Sequence, residues 1–506
     1  MNGGPRPPRP PYWLLAVFVA GFVLPPVWAL ATIAATMAFR SALGFVRRAI
    51  ARGERRQREA AIGPALALGT DPHGATVNLG ERQLAAHGLI VGASGAGKTT
   101  TLLRIVGGQI ARGRPVVALD LKGSPEFARR LGAMAAAAGR PLRVWSLDGP
   151  EHWNPLAVGN ATELKDKLIA TERFTEPHYQ RAAERYVQSA LQVLAAGGRA
   201  ASLERVVALM DPERLTGQAR RLKMPLGRRV EAYVATLTPD QLSAVRGLGT
   251  RLALLSESSA GAFLAGGQGA VDLRRALEGG EVVLFSLNAA RYGSLAAQVG
   301  TLAVQDLVAA TGRRLEAQVA GAPPPLATVA IDEFSALGSD QVLALLARGR
   351  EAGVTVLLAT QELSDLERAG RGFRDQVLGL TALKIAHRQD VPASARTLSE
   401  IAGSEPAWER THTVAPALGR APASRGTRRL VHRPVVRPDE IGRLATGQAV
   451  MLTRTPAAAV ERVRIGSEDA QAGPRRARAG GGRDQAGPRG ARAGGGRDQA
   501  EPGVTR

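Results

Sequence analysis

The sequence predicts an α/β protein with a doubly wound, mainly parallel sheet, and three observations carry that expectation. A glycine-rich loop, Gly92-Ala93-Ser94-Gly95-Ala96-Gly97-Lys98-Thr99, sits between an apolar stretch at 89–91 and a helical pattern over 100–109. Strand candidates at 89–91, 116–121, 143–147, 282–287, 328–331, 354–359, 383–386 and 449–452 alternate with helical patterns. Several of these are continuous apolar runs without alternation, as expected of parallel strands buried on both faces. The run Ala327-Thr-Val-Ala-Ile-Asp332-Glu333-Phe334 is an apolar strand ending in two carboxylates.

In chain order, residues 1–60 read as a membrane anchor and basic linker. Residues 13–39 carry no charge. At about 1.5 Å per residue they make a helix of roughly 40 Å, enough to cross an apolar layer of about 30 Å with tilt. Pro25-Pro26 interrupts the middle, so one kinked transmembrane helix is expected rather than a hairpin of two short arms. Arg6 and Arg9 precede the segment, and Arg40, Arg47, Arg48, Arg52, Arg55, Arg56 and Arg58 follow it. The positive-inside rule puts the bulk of the chain on the cytoplasmic side of the membrane, with the proline-rich start as a short outer arm.

Residues 61–159 form the first part of a nucleotide-binding domain. The loop at 92–99 fits the pattern G-x-x-x-x-G-K-[ST] in its strand–loop–helix context. Its glycines let backbone N–H groups surround a polyphosphate, and the helix N-terminus adds its dipole. Gly92, Ala93, Ser94, Gly95, Ala96, Gly97, Lys98, Thr99 and Thr100 are therefore the expected ATP-binding residues. Lys98 is expected to reach the β- and γ-phosphates, and Thr99 to hold Mg²⁺. Asp120-Leu-Lys122-Gly123 ends the second strand of this part, facing the crevice at the strands' carboxyl ends.

Residues 160–280 break the rhythm. Helical patterns at 182–194, 202–210 and 217–223 with few strand signals predict an all-α insertion domain. Residues 281–466 resume the α/β pattern. Asp332 is expected to act on Mg²⁺ through water, and Glu333 to deprotonate the attacking water. Gln361, beyond the strand at 354–359, is a candidate sensor of the γ-phosphate. Arg350 is a candidate to stabilise transition-state charge across a subunit boundary, with Arg348 beside it. The histidines, His87 and His387 among them, show no metal-ligand spacing. Residues 467–506 read as a disordered tail: 471–484 recur as 485–498 with one change, and Gly/Arg/Pro-rich copies build no core. The tail is either a nucleic-acid-binding arm or a neutral solubilising one.

Composition bounds these readings. Lys and Arg number 66 against 44 Asp and Glu, a formal charge of +22. That excess fits a nucleic acid or an anionic membrane face, or an arginine-rich composition with no functional charge. The chain has no cysteine, which excludes disulfides, thiolate chemistry and Cys-ligated zinc.

The ordered set of motifs resembles the type IV secretion coupling proteins of the TraG/TraD kind, within the FtsK/HerA class of RecA-like motors. The resemblance is carried by His87-Gly-Leu-Ile-Val-Gly-Ala-Ser-Gly-Ala-Gly-Lys-Thr99, Leu119-Asp-Leu-Lys-Gly123, Trp153-Asn-Pro-Leu156, Val329-Ala-Ile-Asp-Glu-Phe334, the segment from Gly349 to Gln361, Gly426-Thr-Arg428 and Pro438-Asp-Glu-Ile441. It implies a RecA-like P-loop NTPase with ATP and Mg²⁺ as cofactors, a homohexameric ring and an all-α domain facing the substrate. It also implies ATP-driven passage of DNA, usually single-stranded and relaxase-bound, into a type IV secretion channel. Family members commonly have two membrane spans, whereas this sequence offers one kinked segment. Three alternatives stay open: an FtsK-like translocase of double-stranded DNA, a protein-only secretion ATPase, and a membrane scaffold switched slowly by nucleotide.

Overall fold

The computed structural model describes residues 64–466, apart from 173, 175, 223–224, 280, 318–325, 338 and 413–425, together with Ala35, Met37 and Phe39. The rest of the expected membrane span and the whole of the repeat tail lie outside the described residues. Among the described residues, no helix is long and apolar enough to cross a membrane.

The strands are β1 (Ala65–Thr70), β2 (Thr76–Gly80), β3 (Gly88–Val91), β4 (Val116–Asp120), β5 (Leu142–Ser146), β6 (Val282–Ser286), β7 (Ala327–Asp332), β8 (Val354–Thr360), β9 (Leu383–Ala386), β10 (Ser404–His412), β11 (Gly426–Pro434), β12 (Gln448–Thr453) and β13 (Ala459–Arg464). All except β10 and β11 form one sheet in the order β2-β1-β13-β12-β9-β3-β8-β7-β4-β6-β5. From β9 to β5 every pairing is parallel. On the other side, β12, β13, β1 and β2 add an antiparallel edge.

The central strands β4, β7 and β8 are buried along their whole length, which explains their unbroken apolar runs. Alternate residues feed two cores. Leu89, Val117, Leu119, Val283 and Phe285 pack into one, and Ile90, Val116, Ala118, Val282 and Leu284 into the other. The expected mainly parallel sheet is therefore observed, with helices on both faces.

Between β5 and β6 the described residues hold helices and no strand: Ala161–Ile169, Pro177–Ala196, Leu203–Leu209, Pro212–Arg221, Pro225–Ala235, Pro239–Ser256 and Leu273–Glu278. Pro177, Pro212 and Pro239 open three of these helices, where a missing N–H removes no helical bond. Asp211 and Thr238 cap two of them. Their buried faces, including Tyr186, Leu191, Leu209 and Leu252, join the same core as Trp145, Trp153 and Phe285. The Trp153-Asn-Pro-Leu156 element anchors this junction. Trp153 Nε1 donates to Asp306 at 3.1 Å, Asn154 donates to the Ala201 carbonyl at 2.9 Å, and Lys167 pairs with Asp306 at 2.6 Å.

Strand register sets up the site. Asp120 lies beside Asp332, Asp332 beside Ala359, and Val91 beside Thr360. The loops leaving β3, β4, β7 and β8 thus emerge along one edge of the sheet.

Candidate nucleotide site

The loop after β3 turns directly into the helix Lys98–Ala111, whose N-cap Gly97 has φ 113°, a conformation that favours glycine. Gly92 is equally constrained, because a Cβ there would lie 2.5 Å from the His387 Cβ. Ser94 and Gly95 are exposed at the tip of the loop, while Ala93 and Ala96 are buried beneath it. Thr100 lies half-buried in the first helical turn.

Lys98 folds back on its own loop. Its Nζ donates to the Gly92 carbonyl at 2.7 Å and to the Ala93 carbonyl at 3.3 Å. Burial pulls its pKa below the ordinary lysine value. Thr99 Oγ1 donates to Asp332 Oδ2 at 2.9 Å, which brings the two expected Mg²⁺ residues together. The other carboxylate oxygen, Asp332 Oδ1, is buried with no hydrogen-bond partner. A threonine hydroxyl and a carboxylate with one unsatisfied oxygen form a hard-oxygen donor set that fits Mg²⁺. Burial raises the Asp332 pKa, with the Thr99 hydrogen bond opposing it. Among the described residues, no cluster of three or more His, Cys, Asp or Glu could hold a metal by protein ligands alone.

Glu333 follows with φ 57°, in the left-handed region that is uncommon for such a residue. Glu333 Oε1 accepts from Lys122 Nζ at 2.6 Å and from Gln361 Nε2 at 3.2 Å. Gln361 and Glu333, expected separately from sequence, are therefore partners. Lys122 was expected only to face the crevice, yet it is the ion-pair partner of Glu333. Burial works against its charge, but Glu333 more than offsets this and the Lys122 pKa ends above its ordinary value. Asp120 positions Lys122 by a local turn: its carboxylate accepts from the backbone N–H of Lys122 at 2.9 Å and of Ser124 at 2.6 Å.

Arg350 does not join this cluster. It is exposed in the turn between the helix Ser339–Gly349 and the start of β8, at the opposite end of the parallel strands. There its charge acts on His87, just before β3.

The support behind the loop carries no sequence motif. Ala93 N–H donates to the Arg388 carbonyl at 2.8 Å, and Gly447 N–H to the Ala96 carbonyl at 3.0 Å. His387 lies buried between them, 2.9 Å from Thr101 Oγ1 through Nε2 and 2.9 Å from the Gln448 carbonyl through Nδ1. Burial, with the Lys98 charge adding to it, lowers its pKa to about 4. An expected strand ending at 386 is the one signal that could have drawn attention to His387.

A family model described as the TraM recognition site of TraD and TraG matches residues 327–446. That span holds Asp332, Glu333, Arg350 and Gln361, and it bears out the resemblance to TraG/TraD coupling proteins. Comparison with curated protein sequences finds no match. Among solved structures, the chain is similar to the unbound bacterial conjugative coupling protein TrwBdeltaN70, with TM-score 0.62 and 15% identity over 82% of this chain and 90% of that one. The plasmid coupling protein TrwB in complex with ADP and Mg²⁺ aligns with TM-score 0.60 and 15% identity, covering 82% of this chain and 91% of the other. VirB4 of Thermoanaerobacter pseudethanolicus aligns with TM-score 0.53 and 14% identity, covering 81% and 98%. At these identities the likeness establishes the fold.

Proposed function

We propose that this chain is an ATP-hydrolysing motor of the conjugative coupling type, anchored in the bacterial inner membrane through residues 13–39. In this reading it moves DNA, single-stranded and relaxase-bound, into a type IV secretion channel. The observation that carries the reading is the joined cluster at the sheet edge: Thr99 on Asp332, and Glu333 held between Lys122 and Gln361. The family match over 327–446 and the similarity to TrwB support the choice of substrate class.

The roles follow from the contacts. Lys98 releases the Gly92 and Ala93 carbonyls and turns to the β- and γ-phosphates of ATP. Thr99, and Asp332 through water, would hold Mg²⁺, which would neutralise phosphate charge when bound. Glu333 takes the proton of the attacking water, and Gln361 reports the γ-phosphate to it. Arg350 lies on the far edge, so it serves only a neighbouring subunit's site, as in a homohexameric ring. The helical segment between β5 and β6 is the proposed substrate-facing domain.

The test is ATP turnover by the full chain, alone, with single-stranded DNA and with duplex DNA, with Lys98→Ala as control. Stimulation by single strands supports the reading. Duplex-only stimulation replaces it with a double-stranded DNA translocase. Turnover without any DNA response points to a protein-secretion ATPase. Turnover far below about one per second under every condition leaves a nucleotide-switched scaffold.

A further inference from the structure

The β10–β11 ribbon stands apart from the main sheet, and its charges are sorted by face. Its register pairs Trp408 with Leu430, Pro406 with His432, Glu405 with Arg433 and Glu409 with Arg429. Successive side chains on a strand point to opposite faces. One face therefore carries Pro406, Trp408, Arg428, Leu430 and His432, and the other carries Glu405, Glu409, Arg429 and Arg433. Both glutamates fall on the second face, where Arg433 pairs with Glu409 at 2.6 Å. The first face has no acidic residue among the described positions.

That first face is open to solvent. Trp408 is 60% exposed and Leu430 50%. The Arg428 guanidinium lies 5.2 Å from the Trp408 ring centroid, within cation–π range. A cross-strand Trp–Leu pair stabilises a ribbon, but that role does not require a surplus of positive charge around it. An exposed indole beside an arginine, on a face with no acidic residue among the described positions, is the chemistry that binds unstacked bases and their phosphates. Two copies of this face docked together would oppose arginine to arginine, which disfavours self-association through it.

The ribbon is also tied to the nucleotide site. Val435 N–H donates to the Gly403 carbonyl at 2.9 Å, rooting the ribbon on the helix Pro392–Ala402. Ser394 in that helix donates to Glu362 at 2.9 Å, next to Gln361. The segment preceding the helix supplies the Arg388 carbonyl that holds the Ala93 N–H.

We propose that the Trp408–Arg428 face of this ribbon is a binding platform for single-stranded nucleic acid, which stacks a base on Trp408 and sets a phosphate near Arg428. The proposal rests on the reading of the chain as a DNA motor and deepens it by naming the contact surface. Binding there should reach the ATP site through the helix Pro392–Ala402.

The experiment uses the full chain and a fluorescently labelled oligo-deoxythymidylate, with affinity read by anisotropy between about 50 and 200 mM salt. Trp408→Ala is expected to weaken binding about tenfold at every salt concentration. Arg428→Gln is expected to lower the salt slope by about one. In both variants basal ATP turnover stays at the wild-type level while stimulation by the oligonucleotide falls. If wild type binds and neither variant loses affinity, the platform is overturned while the motor reading stands. If wild type fails to bind at any salt concentration, the motor reading itself fails. If Trp408→Ala loses affinity only by dissociating an oligomer in sedimentation, the face is a subunit contact and the proposal is overturned. If both variants keep wild-type oligonucleotide affinity but lose a binding to anionic lipid vesicles that wild type shows, the face belongs to a membrane and the proposal is overturned as well.

Discussion

At the sheet edge, Lys98 donates to two loop carbonyls and Lys122 to Glu333, so each cation there has a partner within hydrogen-bond reach. On the ribbon, Arg428 lies over an exposed indole on a face with no acidic residue. The two regions handle positive charge in opposite ways. In the proposed mechanism, Lys98 exchanges its loop carbonyls for a phosphate, in a site whose dipoles are already in place to receive the charge. An arginine left in water keeps its charge for a ligand that arrives with its own, and its contribution depends on salt. The contrast separates chemistry, which needs fixed groups, from grip, which needs accessible ones.

The sharpest way to break the comparison is to remove the fixed groups. Glu333→Gln keeps the shape and removes the proposed base. Turnover should fall by about 10² to 10⁴, with ATP binding retained in an equilibrium titration. Lys98→Ala should lower turnover by about 10² to 10³ and weaken nucleotide binding as well. Retained turnover in either variant would remove the edge cluster from the reaction. Lys122→Met tests the pair that sequence reading left unassigned. Displacing one charged hydrogen bond from Glu333 should reduce turnover about tenfold. Unchanged turnover would make the Lys122–Glu333 pair a resting contact with no part in catalysis.

A smaller effect concerns the histidines that support both ends of β3. His87 Nδ1 accepts from the Val356 N–H at 3.1 Å, and its Nε2 lies 2.9 Å from the Leu346 carbonyl. Burial lowers its pKa to about 4, as it does for His387. Both values lie below the unfolded value of 6.5, so between 6.5 and 4 the unfolded chain binds more protons than the folded one. Stability is therefore full above about pH 6.5 and falls as pH drops towards 4, by at most on the order of 3 kcal/mol per histidine. Urea midpoints measured from pH 7 to pH 5 should fall in wild type. They should fall less steeply in His387→Asn, whose side chain does not titrate. Equal slopes would show that His387 is not the group that titrates.

The eight expected strands are all present; β4, β7 and β8 were the plainest because they are apolar runs buried on both faces, whereas half-buried β5 carries Arg143. The phosphate loop, Asp332 and Glu333 were legible for a related reason: their chemistry fixes residue types at fixed spacing. Partnership was not legible. Lys122 and Gln361 come from different strand ends, and only the register of β4, β7 and β8 brings them both to Glu333. The left-handed backbone at Glu333 has no sequence mark either. β10 was missed because Glu405, Pro406, Glu409 and Arg410 give it neither an apolar run nor an apolar alternation. β13, with Glu461 and Arg462 inside it, hides in the same way at the antiparallel edge. Arg350 shows a different limit: the role expected of it lies across a subunit boundary, and within one subunit the fold puts it on the far edge, away from its own nucleotide loop.

The smallest expected effect sharpens the comparison within the ribbon itself. Arg433 lies on the face opposite Trp408 and pairs with Glu409 at 2.6 Å, with both side chains about half exposed. An exposed ion pair is worth only a few tenths of a kcal/mol. Arg433→Gln should therefore shift the unfolding midpoint barely, and leave oligonucleotide affinity within about twofold, because its charge is already matched. Arg428→Gln removes the same charge from the same ribbon and should change the salt slope. The two variants differ in face and partner but not in net charge. If they lower affinity equally, the ribbon acts only through its total charge, and the sorting of residues between its faces has no part in binding.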